Sequence, residues 1–217
     1  MELMSVALAR VIWAFDIRDL NPRGINLRHA LLPALRDRYQ FTTYPSDDEL
    51  NKFDPEGIKF AYGVFKSKQG EPLAVALLLF PNGIVGETLV DTEESERFLE
   101  DVTKWFASDF GLSFREDFIH PKAYVSQVYV RSEARLEMLN PGLRAFQDKL
   151  SSCVSIPYET AGINLSTGAE MATKPGNFYF ERALNTPFSQ NRYWSQAPTS
   201  TKTHLELLDD LERLLAG

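Results

Sequence analysis

Three histidines, His29, His120 and His204, are the side chains of this chain best suited to acid–base or metal chemistry. None is followed by a second His, Cys or carboxylate three or four residues later, which is the spacing of helix-borne metal sites. His120 comes shortly after Glu116 and Asp117 in a charged loop, where a single histidine is more often solvated than bound to a metal. His29 and His204 are expected on helix surfaces. The sequence therefore predicts no metal site.

Paired carboxylates are the other common acid–base arrangement, and they need a shared cleft that shifts their pKa values. Glu159, Glu170 and Glu181 lie in the irregular C-terminal third, where loops can bring them together, but three exposed carboxylates are the simpler interpretation. The chain has no glycine-rich dinucleotide motif, no phosphate-binding loop and no nucleophile elbow, and Cys153 has no recognisable catalytic surroundings. We therefore assign no catalytic residue and no cofactor. A non-catalytic role is favoured, and catalysis is left open.

The segment 181–198 is a long connection without a helix or strand period, and such connections are often functional. Five of its residues are of types that dominate interface energetics, namely Arg182, Phe188, Arg192, Tyr193 and Trp194. They are our candidate partner-binding or ligand-binding site. In the ligand alternative, Arg182 or Arg192 holds an anion in a pocket between the sheet and the 166–198 region. In a third alternative, the aromatic rings fold inward and complete the core.

The composition excludes several classes of partner. The formal net charge is −7 and the sequence pI is about 5.1, whereas nucleic-acid backbones and anionic membranes require an excess of Lys and Arg. No stretch is long and apolar enough for a transmembrane helix. The single cysteine excludes an intrachain disulfide, and the N-terminus lacks the pattern of a signal peptide. We therefore expect a soluble, cytoplasmic protein that binds neither nucleic acid nor membrane.

The elements that must position these residues are clearest in the first half of the chain. Three apolar runs joined by turn residues predict antiparallel strands at 59–65, 73–80 and 84–90. An Asp-Thr pair then caps a helix over 92–110. The run 74–80 has no polar residue, so it predicts a central strand covered on both faces by helices, another sheet or a second subunit.

The remaining elements follow from weaker patterns. Period-two alternation predicts strands at 10–18, 123–131 and 177–183, with short ones at 40–44, 154–158 and 162–165. Helical periods predict helices at 26–39, 141–151 and 201–215, and a capping pattern leaves 47–53 as either helix or loop. In the 141–151 helix, Leu143, Phe146 and Leu150 form the expected buried face. The segments 166–176 and 184–200 are predicted to be irregular.

The predicted fold is therefore α+β, an antiparallel sheet with packed helices in one domain over 1–217. The element order is β-α-β-β-β-α-β-α, followed by short strands and a C-terminal helix, and an irregular C-terminal part begins at about residue 153. The leading functional hypothesis is a non-catalytic protein that works through protein–protein contact, by self-association or as a subunit of a complex. The alternative is a protein or enzyme that binds a small anionic molecule.

Overall fold

The computed structural model of the chain describes residues 1–21, 28–45, 57–133, 136–168 and 176–216. These residues form an α+β fold with an antiparallel sheet, as the sequence predicts. The strands are β1 Glu2–Ala14, β2 Ile58–Lys66, β3 Pro72–Phe80, β4 Gly83–Thr88, β5 Lys122–Arg131, β6 Gly162–Leu165, β7 Phe178–Arg182 and β8 Arg192–Ala197. The helices are α1 Arg28–Tyr39, α2 Thr92–Phe110, α3 Pro141–Val154 and α4 Thr201–Ala216. The strand order in the sheet is β2-β3-β4-β1-β5-β8-β7-β6.

The chain clusters into two compact units. The N-terminal unit consists of Leu8–Ser126 and Thr199–Thr201, and the C-terminal unit consists of Met1–Ala7, Gln127–Pro198 and Lys202–Gly217. A compact unit is not the same as an independently folding domain, so the single domain predicted from the sequence stays a prediction.

In the N-terminal unit, β2, β3 and β4 form the predicted antiparallel meander, with Lys66 paired to Pro72 across the first turn. Strand β3 is an interior strand, as predicted. It is second from the edge and not central, because β1 pairs with the far side of β4. The sequence also predicts a strand at 40–44. Within the described residues, this segment forms only one isolated bridge, between Thr43 and Ala61.

Helix α2 has the predicted bounds and begins at the predicted cap. Asp91 has an extended backbone, and its side chain accepts a hydrogen bond from the N–H of Glu94 at 2.7 Å. Gly111 has a φ of 64°, and its N–H bonds to the carbonyl of Phe106. Glycine adopts this left-handed conformation without strain, which is why the helix ends there.

The core of the N-terminal unit lies between one face of its sheet and the helices α1 and α2. Tyr39 of α1 meets Phe98 and Trp105 of α2 edge-on, with ring centroids 5.2 and 6.2 Å apart. Val11 of β1 and Leu77 of β3 are fully buried in the same cluster. These two helices therefore cover the same face of the sheet.

The C-terminal unit has its own core. Strands β6, β7 and β8 pair antiparallel, which confirms the strands predicted at 162–165 and 177–183. Leu208 of α4 is buried against this group together with Val128, Phe180 and Tyr193. The leucine period of the C-terminal sequence therefore identifies α4 correctly.

Several predicted boundaries are wrong. The strand predicted at 154–158 is absent, because Val154 is the last residue of α3 and the residues after it form a turn and irregular chain. The strand predicted at 10–18 ends at Ala14 and begins at Glu2, and a helical turn follows at Ile17–Leu20. The segment 184–200 contains β8, so it is not wholly irregular.

Helix α3 begins as predicted, but its expected buried face is largely open. The side chain of Asn140 caps it by accepting bonds from the N–H groups of Gly142 and Leu143. Leu143 is 40% exposed and Phe146 is 60% exposed, while Leu150 is half-buried. A helical period identifies the apolar face of a helix but does not say whether another element covers it. The helix or loop predicted at 47–53, and most of the loop predicted at 166–176, lie outside the described residues.

Candidate functional site

The structure does not bring the five predicted site residues into one cluster. Alternate side chains of a strand point to opposite faces, so in β8 Tyr193 lies on one face and Arg192 and Trp194 on the other. Arg182 of β7 is paired in register with Tyr193 and lies on the same face. Phe188 is in a short turn between the two strands and is 43% exposed.

Arg182 is held in place by two rings and two acceptors. Its guanidinium carbon lies 4.5 Å from the ring centroid of Tyr193 and 5.0 Å from that of Phe188. Its Nη1 donates to the carbonyl of Phe188 and to Oδ1 of Asn191, both at 3.1 Å. Its Nε is buried and has no hydrogen-bond partner among the described residues. The rings and acceptors fix the direction of the guanidinium.

Tyr193 lies in the core, as expected if the aromatic rings of this segment fold inward. It is fully buried and stacks on Phe180, with ring centroids 4.5 Å apart and the planes tilted by 13°. On the other face, Trp194 is half-buried and its ring lies 5.9 Å from that of Tyr179. Arg192 is also half-buried, and its buried Nε has no partner in the part of the chain that the structure describes. Whether these residues bind a partner or a ligand stays a prediction.

The alternation of β8 is difficult to see in the sequence. Its buried positions are Tyr193, Ser195 and Ala197, so they include a polar and a very small residue. Its other face includes Trp194, which is the largest apolar side chain of the strand. Hydrophobicity therefore does not alternate, and the pattern that identifies half-buried strands is missing.

A polar cleft of about 650 Å³ opens beside Arg182 in the C-terminal unit. Its walls carry two guanidinium groups and three carboxylates, those of Arg144, Arg182, Glu133, Asp148 and Glu159. Asn191 links two of these groups, because it accepts from Arg182 and its Nδ2 donates to Oε2 of Glu133 at 2.7 Å. One wall is the outer face of α3, which the sequence analysis did not assign to a site.

His204 is buried, so the prediction that it lies on a helix surface is wrong. Its Nε2 lies 2.9 Å from Oγ of Ser195, which in turn donates to the carbonyl of Tyr179 at 2.7 Å. Since the hydroxyl has one proton to donate, Nε2 of His204 is the donor to Ser195. Burial lowers the pKa of His204 to about 4, so the imidazole is neutral at neutral pH.

A serine beside a histidine is one arrangement of nucleophilic catalysis. Here the side chains of Ser195 and His204 are both fully buried, so no substrate reaches the hydroxyl. The pair is therefore a structural hydrogen bond inside the C-terminal unit.

The other candidate histidines and metal ligands form no site in the described part of the chain. His120 is exposed, and the carboxylate of Asp117 is paired with Arg115, with Nε to Oδ1 at 2.9 Å. Among the described residues, no three His, Cys, Asp or Glu side chains are grouped to hold a metal ion. Glu170 and the side chain of His29 lie outside the described residues.

The second face of the sheet in the N-terminal unit is also apolar, and α1 and α2 both pack on the opposite face. We name this surface the open sheet face. It consists of Leu8, Arg10, Ile12 and Ala14 of β1, Val85 and Glu87 of β4, Ala74, Ala76, Leu78 and Phe80 of β3, and Lys59, Ala61 and Val64 of β2. Two shallow grooves of about 190 and 310 Å³ run along it. Strand β3 is thus apolar on both faces, but within the described N-terminal unit helices cover only one of them.

One ion pair lies on the β1–β4 side of the open sheet face. Arg10 and Glu87 are directly opposite each other in the register of β1 and β4. Nε of Arg10 donates to Oε1 of Glu87 at 2.8 Å. Their neighbours are apolar: Ala76 lies beside Glu87 in the same row, and the next row pairs Ile12 with Val85.

An exposed tyrosine marks the outer border of the open sheet face. Tyr62 is 73% exposed and has a φ of 55°, at a register shift between Phe60 and Gly63 in the edge strand β2. Bulges of this kind redirect one side chain of an edge strand. Its ring lines the smaller groove, so the irregularity places an aromatic residue beside the apolar surface.

The comparisons with known proteins do not assign the chain to a family. No protein-family model matches it, and no curated protein matches it in sequence. Within the described residues, every helix is too short or too polar to cross a membrane.

Proposed function

We propose that the chain is a non-catalytic cytoplasmic protein that acts through protein–protein contact, by self-association or as a subunit of a complex. The observation that supports this proposal is the open sheet face. An antiparallel sheet with one face in water normally carries polar residues on that face. Here all but three of the residues are apolar, and the helices of the unit lie on the other side.

On the open sheet face Lys59, Val64 and Ala74 are exposed, Val85 is buried and the other side chains are half-buried, so apolar surface remains that association can bury. Burying apolar surface contributes about 25 cal/mol per Å². Contiguous apolar patches on soluble proteins usually mark interaction sites. Tyr62 at the border adds an exposed residue of a type enriched at interfaces, and Val64 beside it is 44% exposed.

A photo-cross-linking experiment in cells tests this proposal. Benzoylphenylalanine replaces Val64 on the open sheet face, and in a matched control it replaces Leu184, which is 89% exposed in the C-terminal unit. Irradiation is expected to give a discrete covalent product of higher mass with the Val64 variant only. If both variants remain monomeric after irradiation, or if both give the same products, the open sheet face has no partner and the proposal fails.

The polar cleft supports a second candidate function, the binding of a small polar anion. Arg182 is already oriented by its rings and acceptors, and Arg144 is exposed on the α3 wall. Two guanidinium groups in one cleft suit a carboxylate or a phosphate. Because carboxylates also line the cleft, a ligand that carries an amine as well as the acidic group fits it best.

A thermal-shift screen separates this candidate from the first. A ligand that binds only the native state raises the melting temperature by mass action. We expect one member of a panel of amino acids, phosphorylated metabolites and nucleotides to do so, and the shift to shrink in an Arg144→Gln variant. If no member of the panel raises the melting temperature, the cleft is not a ligand site.

A further inference from the structure

The polar cleft beside Arg182 carries charges of both signs that are not paired with one another. The side chains of Arg144, Asp148 and Glu159 are exposed on its walls and form no ion pair or hydrogen bond with the residues that the structure describes. Arg182 also keeps a free donor, because its two hydrogen bonds use Nη1 and leave Nη2 without a partner among those residues. The cleft therefore presents free donors and free acceptors to the same ligand.

The positions of Arg144 and Asp148 on α3 set the distance between the two charges of a matching ligand. Four residues along a helix correspond to about 6 Å and to nearly the same side of it. Glu100 and Lys104 of α2 have the same spacing and form an ion pair, with Nζ and Oε2 3.2 Å apart. On a helix the acid favours the N-terminal position of such a pair, and α3 has the reverse order. Both charges of α3 are therefore left for another group.

Two uncharged polar groups lie beside these charges. Gln147 and Ser151 line the cleft from α3. Nε2 of Gln147 donates to Oγ1 of Thr160 at 2.8 Å, so its Oε1 remains an acceptor. Oγ of Ser151 accepts from the N–H of Tyr158 at 2.9 Å, and its own proton has no acceptor within the described ranges. One acceptor and one donor on the same wall match the N–H and C=O of a peptide group.

We propose that the polar cleft binds a dipeptide by both of its free ends; this inference rests on the second candidate function, the binding of a small polar anion. The carboxylate of the dipeptide binds Arg144 and Nη2 of Arg182, and its ammonium group binds Asp148 and Glu159. A free amino acid carries both charges on one carbon atom, so it does not reach positions one helical turn apart. The ends of an extended dipeptide are about 7 Å apart, which is close to that spacing.

The volume and the charge of the cleft agree with a ligand of this kind. Pockets for drug-sized ligands measure about 300–1,000 Å³, and this cleft is about 650 Å³. A nucleotide or a sugar phosphate fits less well, since the three carboxylates of the cleft repel its phosphate groups. Tyr158, which is 49% exposed, provides an aromatic ring for a side chain of the dipeptide to contact.

A panel of dipeptides tests the proposal with purified protein. The panel places each common amino acid before or after alanine, and thermal shift identifies the dipeptide that raises the melting temperature most. Isothermal titration calorimetry then compares this dipeptide with its N-acetylated, C-amidated and doubly capped forms. We expect each single cap to weaken binding by about tenfold or more, because a cap leaves charged groups of the cleft without a partner.

Two variants assign the ends of the dipeptide. Arg144→Gln should weaken binding of the free dipeptide about tenfold but should have little effect on the C-amidated form, which has already lost the carboxylate. Asp148→Asn should weaken the free dipeptide in the same way and have little effect on the N-acetylated form. Lys149→Gln removes an exposed charge of α3 that does not line the cleft, so it is the matched control and should bind normally. Urea unfolding of each variant shows that the fold is retained.

The possible outcomes separate this inference from the function on which it rests. Free and capped dipeptides that bind equally well, or a dipeptide whose binding ignores both variants, would overturn the inference. If no dipeptide raises the melting temperature, but a single amino acid or a phosphorylated metabolite does so and loses its effect in Arg144→Gln, the inference is wrong and the cleft is still an anion site. If neither class of ligand binds, the inference and the second candidate function both fail.

Discussion

His204 on α4 donates a hydrogen bond from Nε2 to Oγ of Ser195 on β8 across 2.9 Å, and both side chains are fully buried. The bond connects the C-terminal helix to the strand beneath it. The neutral imidazole makes this bond as the tautomer that carries its proton on Nε2, and burial, which opposes the charged form, lowers the pKa of His204 to about 4. The stability of the C-terminal unit is therefore linked to pH through one histidine.

We expect the protein to lose stability as the pH falls from about 6.5 to about 4. In the native state the pKa of His204 is lowered to about 4 by burial, against 6.5 in an exposed histidine. Between these values the unfolded chain takes up a proton that the native chain does not. The free energy of unfolding therefore decreases as the pH is lowered, by about 3 kcal/mol over the whole window. Urea unfolding at pH 7, 6 and 5 measures this slope.

Two variants identify the residue responsible for the slope. His204→Gln keeps an N–H donor near Ser195 but cannot titrate, so its stability should vary much less between pH 7 and pH 5. His120→Gln removes an exposed histidine and should keep the slope of the wild type. Equal slopes in all three proteins would mean that other groups carry the pH dependence.

Tyr193 and Trp194 are neighbours in sequence, but we expect their substitutions to have different effects. Tyr193 is fully buried on Phe180, so Tyr193→Ala should lower the free energy of unfolding by about 3–5 kcal/mol. Trp194 is half-buried on the opposite face, so Trp194→Ala should cost about 1–2 kcal/mol. Denaturant unfolding measures both losses of stability, with m-values of the two variants compared with that of the wild type. If the two substitutions cost the same, the assignment of the two rings to opposite faces is wrong.

These two residues also show how far the sequence could predict the candidate site. Their residue types are typical of an interface, but whether a ring faces the core depends on strand register, which the mixed hydrophobicity of β8 conceals. The meander and α2 were predictable because caps, turns and apolar periods agree there. The open faces of α3 and of β3 were not predictable, since local patterns show that a face is apolar but not what covers it.

The N-cap of α2 should make a measurable contribution to stability. Oδ1 of Asp91 accepts the bond from the N–H of Glu94 at 2.7 Å, which satisfies a donor that the helix itself cannot pair. Asp91→Ala should therefore lower the free energy of unfolding by about 1 kcal/mol. Asp91→Ser retains an acceptor and should cost clearly less. Thermal and urea unfolding of the three proteins compare them, and equal losses for Ala and Ser would contradict a capping role.

Gly86 of β4 is expected to tolerate no side chain, because α2 packs directly on it. A Cβ at this position would lie 2.7 Å from Cγ of Leu99 and 3.1 Å from the carbonyl of Ser95, so Gly86→Ala should cost about 1–3 kcal/mol. Gly168→Ala, where a Cβ meets nothing within 4 Å, is the matched control and should be neutral. Leu99→Ala leaves a cavity at the same point, so the double variant should be less destabilised than the sum of the two single variants. Strictly additive losses in urea unfolding would show that the methyl group and Leu99 do not compete for the same space.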